Sequence, residues 1–256
     1  MTGPSLAALS RVALARVTLF MAVHPAASYS QFPRDTVFDR AALPRVVPFL
    51  IYLAFIVLAD VLTRLGWDAH QLRWLYAIKV GAVLLALLFY RRQYSELAWT
   101  APSPAVWVQA VLVGLLVFVL WIGLDAGWMT LGTPAGFDPR EGGVIDWPLA
   151  LVRLAGAALV VPIMEELFWR SFLLRWIESA DFLRVDPGRV RYKAVLTTVV
   201  LFGFEHNLWL AGIVAGVAYT VLFSRNATLW SPICAHSVTN GVLGIWIITT
   251  GHWSYW

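Results

Sequence analysis

Seven stretches of this chain are apolar over lengths near that of a bilayer crossing, and no other feature restricts its folding as much. They lie near 46–65, 72–90, 104–124, 148–175, 193–209, 210–224 and 231–250. About 20 mostly apolar residues in a helix cross the roughly 30 Å of hydrocarbon. The fourth stretch is unusually long, and the sixth is short and poorly separated from the fifth. The expectation is an all-α, polytopic transmembrane helix bundle of about seven spans. Composition agrees: 60% of residues are hydrophobic and 13% charged, against about 25% charged in a soluble domain.

The net charge of +4 reads as basic cytoplasmic loops, not as a nucleic-acid surface, and no nucleic-acid partner is expected. Arginine and lysine collect in alternate connections. Arg11, Arg16, Arg34, Arg40 and Arg45 precede the first span, and Arg91 and Arg92 follow the second. Arg175, Arg184, Arg189, Arg191 and Lys193 follow the fourth, and Arg225 follows the sixth. The other connections hold only Arg64, Arg73 and Arg140. Cytoplasmic loops are the basic ones, so the N-terminus is expected inside and the C-terminus outside. Trp67, Trp74, Trp99, Trp107, Trp147 and Trp253 fall near span ends, as an interfacial belt requires. Cys234 is the only cysteine, which excludes an internal disulfide.

Residues 1–45 divide from a transmembrane domain at 46–256. Their run SLAALSRVALARVTLFMAV is amphipathic and broken by arginines. A helix on the inner membrane surface is the preferred reading. A signal-like segment and a start codon placed too early stay open. Residues 125–147 are rich in Gly, Asp and Pro and read as an outer loop, helical in part. In GIVAG, Gly212 and Gly216 share a helix face, a pattern for close helix packing in lipid. No internal repeat is visible.

Charges at membrane depth cost at least about 2.5–3.5 kcal/mol on insertion scales and persist where they face a cavity or a partner. In VPIMEELFWR at 161–170, Glu166 and Arg170 are four apart and can pair on one face. Glu165 points about 100° away and finds no partner in its own helix. Pro162 removes a backbone hydrogen bond just upstream and would open the helix at this depth. Glu205, His206 and Asn207 fall in the fifth stretch. Glu205 reads either as a second functional carboxylate or as a group at a water-filled mouth, the latter preferred. His236 and Asn240 share a face of the seventh stretch and can aim two donors at one point, as an oxyanion requires. At about 1.5 Å per residue, Glu165, His206, His236 and Asn240 reach comparable depths. That estimate has them lining one cavity open to the cytoplasm.

These residues also form three motifs in order. EELFWR fits EExxxR, FGFEH at 202–206 fits FxxxH, and HSVTN at 236–240 fits HxxxN. Over about residues 150–250 the chain resembles the CPBP family of intramembrane proteases, which includes type II CAAX prenyl endopeptidases and bacteriocin-processing or immunity proteins. More loosely it looks like the CAAX-protease-related members that accompany bacterial exosortase sorting systems. The resemblance implies a glutamic peptidase without a cofactor, in a bacterial inner membrane. Glu165 and His206 would activate water, His236 and Asn240 would steady the oxyanion, and Glu166 and Arg170 would organise the site. The substrate would be a membrane-associated protein or peptide, lipidated or handled by a sorting system. Apolar surroundings make a carboxylate a stronger base and a nearby arginine a weaker one, which suits such a mechanism.

Two rival readings compete with it. A zinc-dependent membrane protease would use the same Glu and His residues, although no HExxH helix is present. A non-catalytic membrane protein, binding a peptide as an immunity factor would, would use the cavity for recognition. A transporter fits less well, because the polar residues cluster in one half of the chain.

Overall fold

The computed structural model describes residues 40–99, 101–132 and 136–256. The expected N-terminal amphipathic segment falls on 1–39 and lies outside the described residues. Seven helices follow in order: α1 Leu43–Arg64, α2 Leu75–Tyr90, α3 Pro104–Gly123, α4 Trp147–Trp176, α5 Tyr192–Glu205, α6 Trp209–Asn226 and α7 Trp230–Thr250. Each corresponds to one apolar stretch. Four of them, α1, α3, α4 and α7, are long and apolar enough to cross a membrane. The protein is a multi-pass membrane protein with an all-α bundle. The only described strands, β1 Arg140–Glu141 and β2 Val144–Ile145, form a small antiparallel ribbon in the 124–146 connection.

Side-chain and backbone contacts show which connections share an end of the bundle. At one end, Arg73 before α2 pairs with Glu141 at 2.6 Å and with Asp146. Leu131 N donates to Asn207 O at 2.7 Å, and Tyr255 OH donates to Asp125 at 2.7 Å. At the other end, Arg45 of α1 forms a bidentate pair with Glu96 at 2.8 and 2.5 Å. Glu96 also accepts from Ser171 of α4, and Arg175 donates to Ser171 Oγ at 2.7 Å. Asn226 of α6 donates to Gln109 of α3 and Ser231 of α7. This second end carries the arginine-rich connections. Arg45 and Arg175, read from sequence as loop charges, are buried members of its network.

Arg45 is 1% exposed, so Glu96 matters to stability. Removing one partner of a buried pair costs about 3–5 kcal/mol, because the other charge is left uncompensated. Glu96→Gln is expected to cost about 3 kcal/mol, read by denaturant unfolding in micelles. Burial pushes the Glu96 carboxyl up, but the hydrogen bond and charge of Arg45, with the Ser171 hydrogen bond, outweigh it and leave it below its ordinary value of 4.5. A depressed carboxyl contributes stability that is present above the unfolded value and drains away as pH falls through the folded one. Wild-type stability should therefore drop below about pH 4.5, and the Glu96→Gln profile should be flatter there.

Small residues set the tightest helix contacts. A Cβ on Gly212 would meet Gly203 backbone at 3.0 Å, and one on Gly216 would meet Phe202 at 3.2 Å. The GIVAG pattern is thus the seam between α5 and α6. A Cβ on Gly114 would strike Ala235 O, which fixes α3 against the helix that carries His236.

Candidate active site

The long helix α4 is not uniform. Gly156–Val160 and Leu167–Leu173 are wound in the wider π form, on either side of the regular segment Val161–Glu166. Such bulges alter which way the following residues face and occur often at functional sites. Pro162 is the local cause at the first of them. In an i→i−5 register its missing N–H would have served Ala157 O. Asn240 Nδ2 of α7 donates to that carbonyl instead, at 2.9 Å. Sequence reading anticipated the opening of the helix at Pro162 but not this use of Asn240. One amide hydrogen of Asn240 ties α7 to α4, and the second remains for the cavity that Asn240 lines.

The expected Glu166–Arg170 pair is present at 3.0 Å, with both side chains 0% exposed. Glu166 Oε1 also receives His236 Nδ1 at 3.0 Å. Arg170 lies over the Phe202 ring at 4.3 Å and reaches Gly216 O at 3.4 Å. His236 stacks on Tyr219, with ring centroids 4.9 Å apart, and Tyr219 OH is held by Thr239 at 2.8 Å. The imidazole is therefore fixed in position and in ring orientation. Its Nε2 faces Glu165 Oε2 at 3.9 Å. Glu165 and His236 are each 5% exposed, and Glu165 Oε2 makes no hydrogen bond among the described residues.

His206 is not two-thirds of the way along a span, as counted from sequence. It caps the end of α5, and a short turn at 206–208 leads into α6. Its Nδ1 lies 2.8 Å from Phe202 O. A carbonyl only accepts, so Nδ1 carries the proton and Nε2 is the basic nitrogen of the neutral ring. Trp121 meets the ring edge-on at 5.2 Å. Glu205 is half-buried in the cavity wall, and its Oε2 accepts from Trp169 Nε1 of α4 at 3.1 Å.

Glu165, Glu205, His206, His236 and Asn240 all line one cavity of about 600 Å³. Glu165, His236 and Tyr219 are among its most buried wall residues, whereas Asp125, Thr130 and Ser254 belong to the 124–146 connection and the segment after α7. The cavity thus opens at the arginine-poor end. Counting residues along each span could not identify this end, because the count had no information on where the loops lie over the bundle. Sequence reading also passed over Arg153 and Lys79, charged residues inside apolar stretches. Arg153 lines the same cavity, and Lys79 Nζ sits 3.9 Å from the Tyr52 ring centroid. Among the described residues no three of His, Cys, Asp and Glu are grouped to hold a metal ion.

Residues 147–242 match the family model described as type II CAAX prenyl endopeptidase Rce1-like. Over that segment the chain is similar to the CAAX proteases. The segment begins at the first residue of α4 and ends two residues past Asn240, so it contains all three motifs. α1 to α3 precede the matched segment, yet Tyr52 of α1 and Trp121 of α3 complete the walls of the cavity. No curated protein and no solved structure matches the chain significantly. The family supports a protease acting on a membrane-associated substrate.

Proposed function

We propose that the chain is an intramembrane endopeptidase of the glutamic type. The observation that carries this reading is the buried Glu165 Oε2, unbonded among the described residues and facing His236 Nε2 at 3.9 Å across the cavity. Two protonation states leave the cluster of Glu165, Glu166, Arg170 and His236 neutral. In one, Glu165 is protonated and His236 neutral. In the other, Glu165 is ionised and His236 is an imidazolium. Neutrality matters because an uncompensated charge is costly to bury. The second state supplies what peptide hydrolysis needs. Ionised Glu165, with the basic Nε2 of His206, takes a proton from water as its oxygen attacks the scissile carbonyl. The imidazolium Nε2–H and the second amide hydrogen of Asn240 donate to the oxyanion. Glu165 then passes the proton to the departing amine, whose C–N bond breaks. Glu166 and Arg170 do not touch the substrate; they hold His236 in position.

The orientation belongs to the same proposal. The arginine-rich end is the cytoplasmic one, which puts the N-terminus inside and the cavity mouth outside. The substrate is then a membrane-associated segment already exported, the class on which a sorting system would act. In cells carrying a Cys234→Ala chain, a membrane-impermeant maleimide is expected to label Ser254→Cys and to spare Ser179→Cys until the membrane is permeabilised. The reverse pattern would place the mouth in the cytoplasm. Proteomics of membrane fractions from cells with wild-type, Glu165→Gln or His206→Ala chains tests the peptidase reading. Substrates should accumulate uncut in both variants, and identical peptide termini in all three would refute it.

A further inference from the structure

Arg153 is the cationic side chain of the cavity wall, and the reaction does not use it. It lies on α4 three residues before the first π segment and is partly buried. Its guanidinium is framed by rings: Tyr76 at 4.6 Å, Phe137 at 4.5 Å and Trp256 at 5.7 Å from their centroids. Among the described residues it donates no hydrogen bond and forms no ion pair within 4.0 Å. Asp125 shares the cavity, but its carboxylate accepts from Tyr255. A guanidinium on aromatic faces keeps its N–H edge in the ring plane's periphery, free to meet a planar anion in the fork geometry that carboxylates match. Three other arginines of the chain do meet carboxylates. Arg45 meets Glu96, Arg73 meets Glu141 and Asp146, and Arg170 meets Glu166.

We infer that Arg153 is a specificity residue that receives a carboxylate of the substrate. The inference rests on the peptidase reading. It also fixes a length. Arg153 and Glu165 are twelve residues apart on one helix, which is about 18 Å at 1.5 Å per residue. An extended peptide advances about 3.3 Å per residue, so roughly five residues separate the bound carboxylate from the bond that is cut. Two sources supply such a carboxylate, a peptide C-terminus and an acidic side chain. A C-terminal carboxylate is positioned only by the chain end, whereas a side chain is read by its place in the sequence.

The test uses the full chain in micelles and three pools of twelve-residue peptides of matched random sequence. One pool has no Asp or Glu and a free C-terminal acid. The second is the same pool as C-terminal amides. The third is amidated and carries one Glu at each position in turn. Binding is measured on Glu165→Gln, where no bond is cut, and cleavage sites on wild type by mass spectrometry. The expected result is at least about tenfold tighter binding of acid over amide, or of one Glu register over the others, with cuts about five residues from that carboxylate. Preference for the acid pool assigns the C-terminus, and preference for one Glu register assigns the side chain. Adding Arg153→Gln should collapse the ratio to near one, and Arg153→Lys should restore part of it, which loss of folding would not do. Equal binding of all pools, absence of binding, or a ratio unchanged by Arg153→Gln would each overturn the assignment. Carboxylate preference in Glu165→Gln without cleavage by wild type would sink the peptidase reading and leave the Arg153 site standing.

Discussion

Glu165→Gln is expected to lower turnover by about a thousandfold or more while the chain still folds and still binds substrate. The size follows from the role. General acid–base groups contribute about 10²–10⁴-fold, and in the proposed mechanism one carboxylate both takes the proton of water and returns it to the amine. The amide of Gln does neither. It keeps the volume of the side chain, which is 5% exposed in a packed wall, so stability should change little. Single-turnover cleavage of a substrate found by membrane proteomics, with binding measured in parallel, separates the two effects. A rate within about tenfold of wild type would remove Glu165 from the chemistry. Loss of binding together with rate would mean that the change disturbs the cavity instead.

Arg170→Met is expected to have the largest effect on stability, about 3–5 kcal/mol. Arg170 and Glu166 are both fully buried, and Glu166 Oε1 is shared between Arg170 and His236. Without the guanidinium, Glu166 either stays ionised in apolar surroundings or takes up a proton. A protonated Glu166 no longer favours the His236 imidazolium that the proposed mechanism uses as an oxyanion donor, so activity should fall too. Removing both charges with Glu166→Gln and Arg170→Met should recover most of the stability and none of the activity. Denaturant unfolding in mixed micelles and cleavage of the same substrate measure both. A cost below about 1 kcal/mol for Arg170→Met alone would mean that the pair is solvated and not a buried one.

The helices were legible because each is a continuous apolar run, and the pair of Glu166 with Arg170 because four-residue spacing on a helix dictates it. What the sequence hid has physical reasons. The turn at His206–Leu208 carries neither Gly nor Pro, and Leu208, Trp209 and Leu210 prolong the apolar run across it, so α5 and α6 looked nearly continuous. Asn240 reads as a free donor until a π turn is known to leave Ala157 O without its partner. The pairing of His236 with Glu166 depends on how α7 crosses α4, a tertiary fact with no local signature. Arg153 carried a signal that was available: a lone arginine six residues into an apolar stretch, where a charge always asks for a reason.

The brevity of α5 has a consequence for supply. Its 14 residues climb only about 21 Å at 1.5 Å each, short of the roughly 30 Å that lipid tails occupy. The hairpin it makes with α6 cannot reach the far surface, so a dent is left above His206, roofed by the connection after α3. Every bond hydrolysed consumes one molecule of solvent, and such a recess lets it arrive without crossing hydrocarbon.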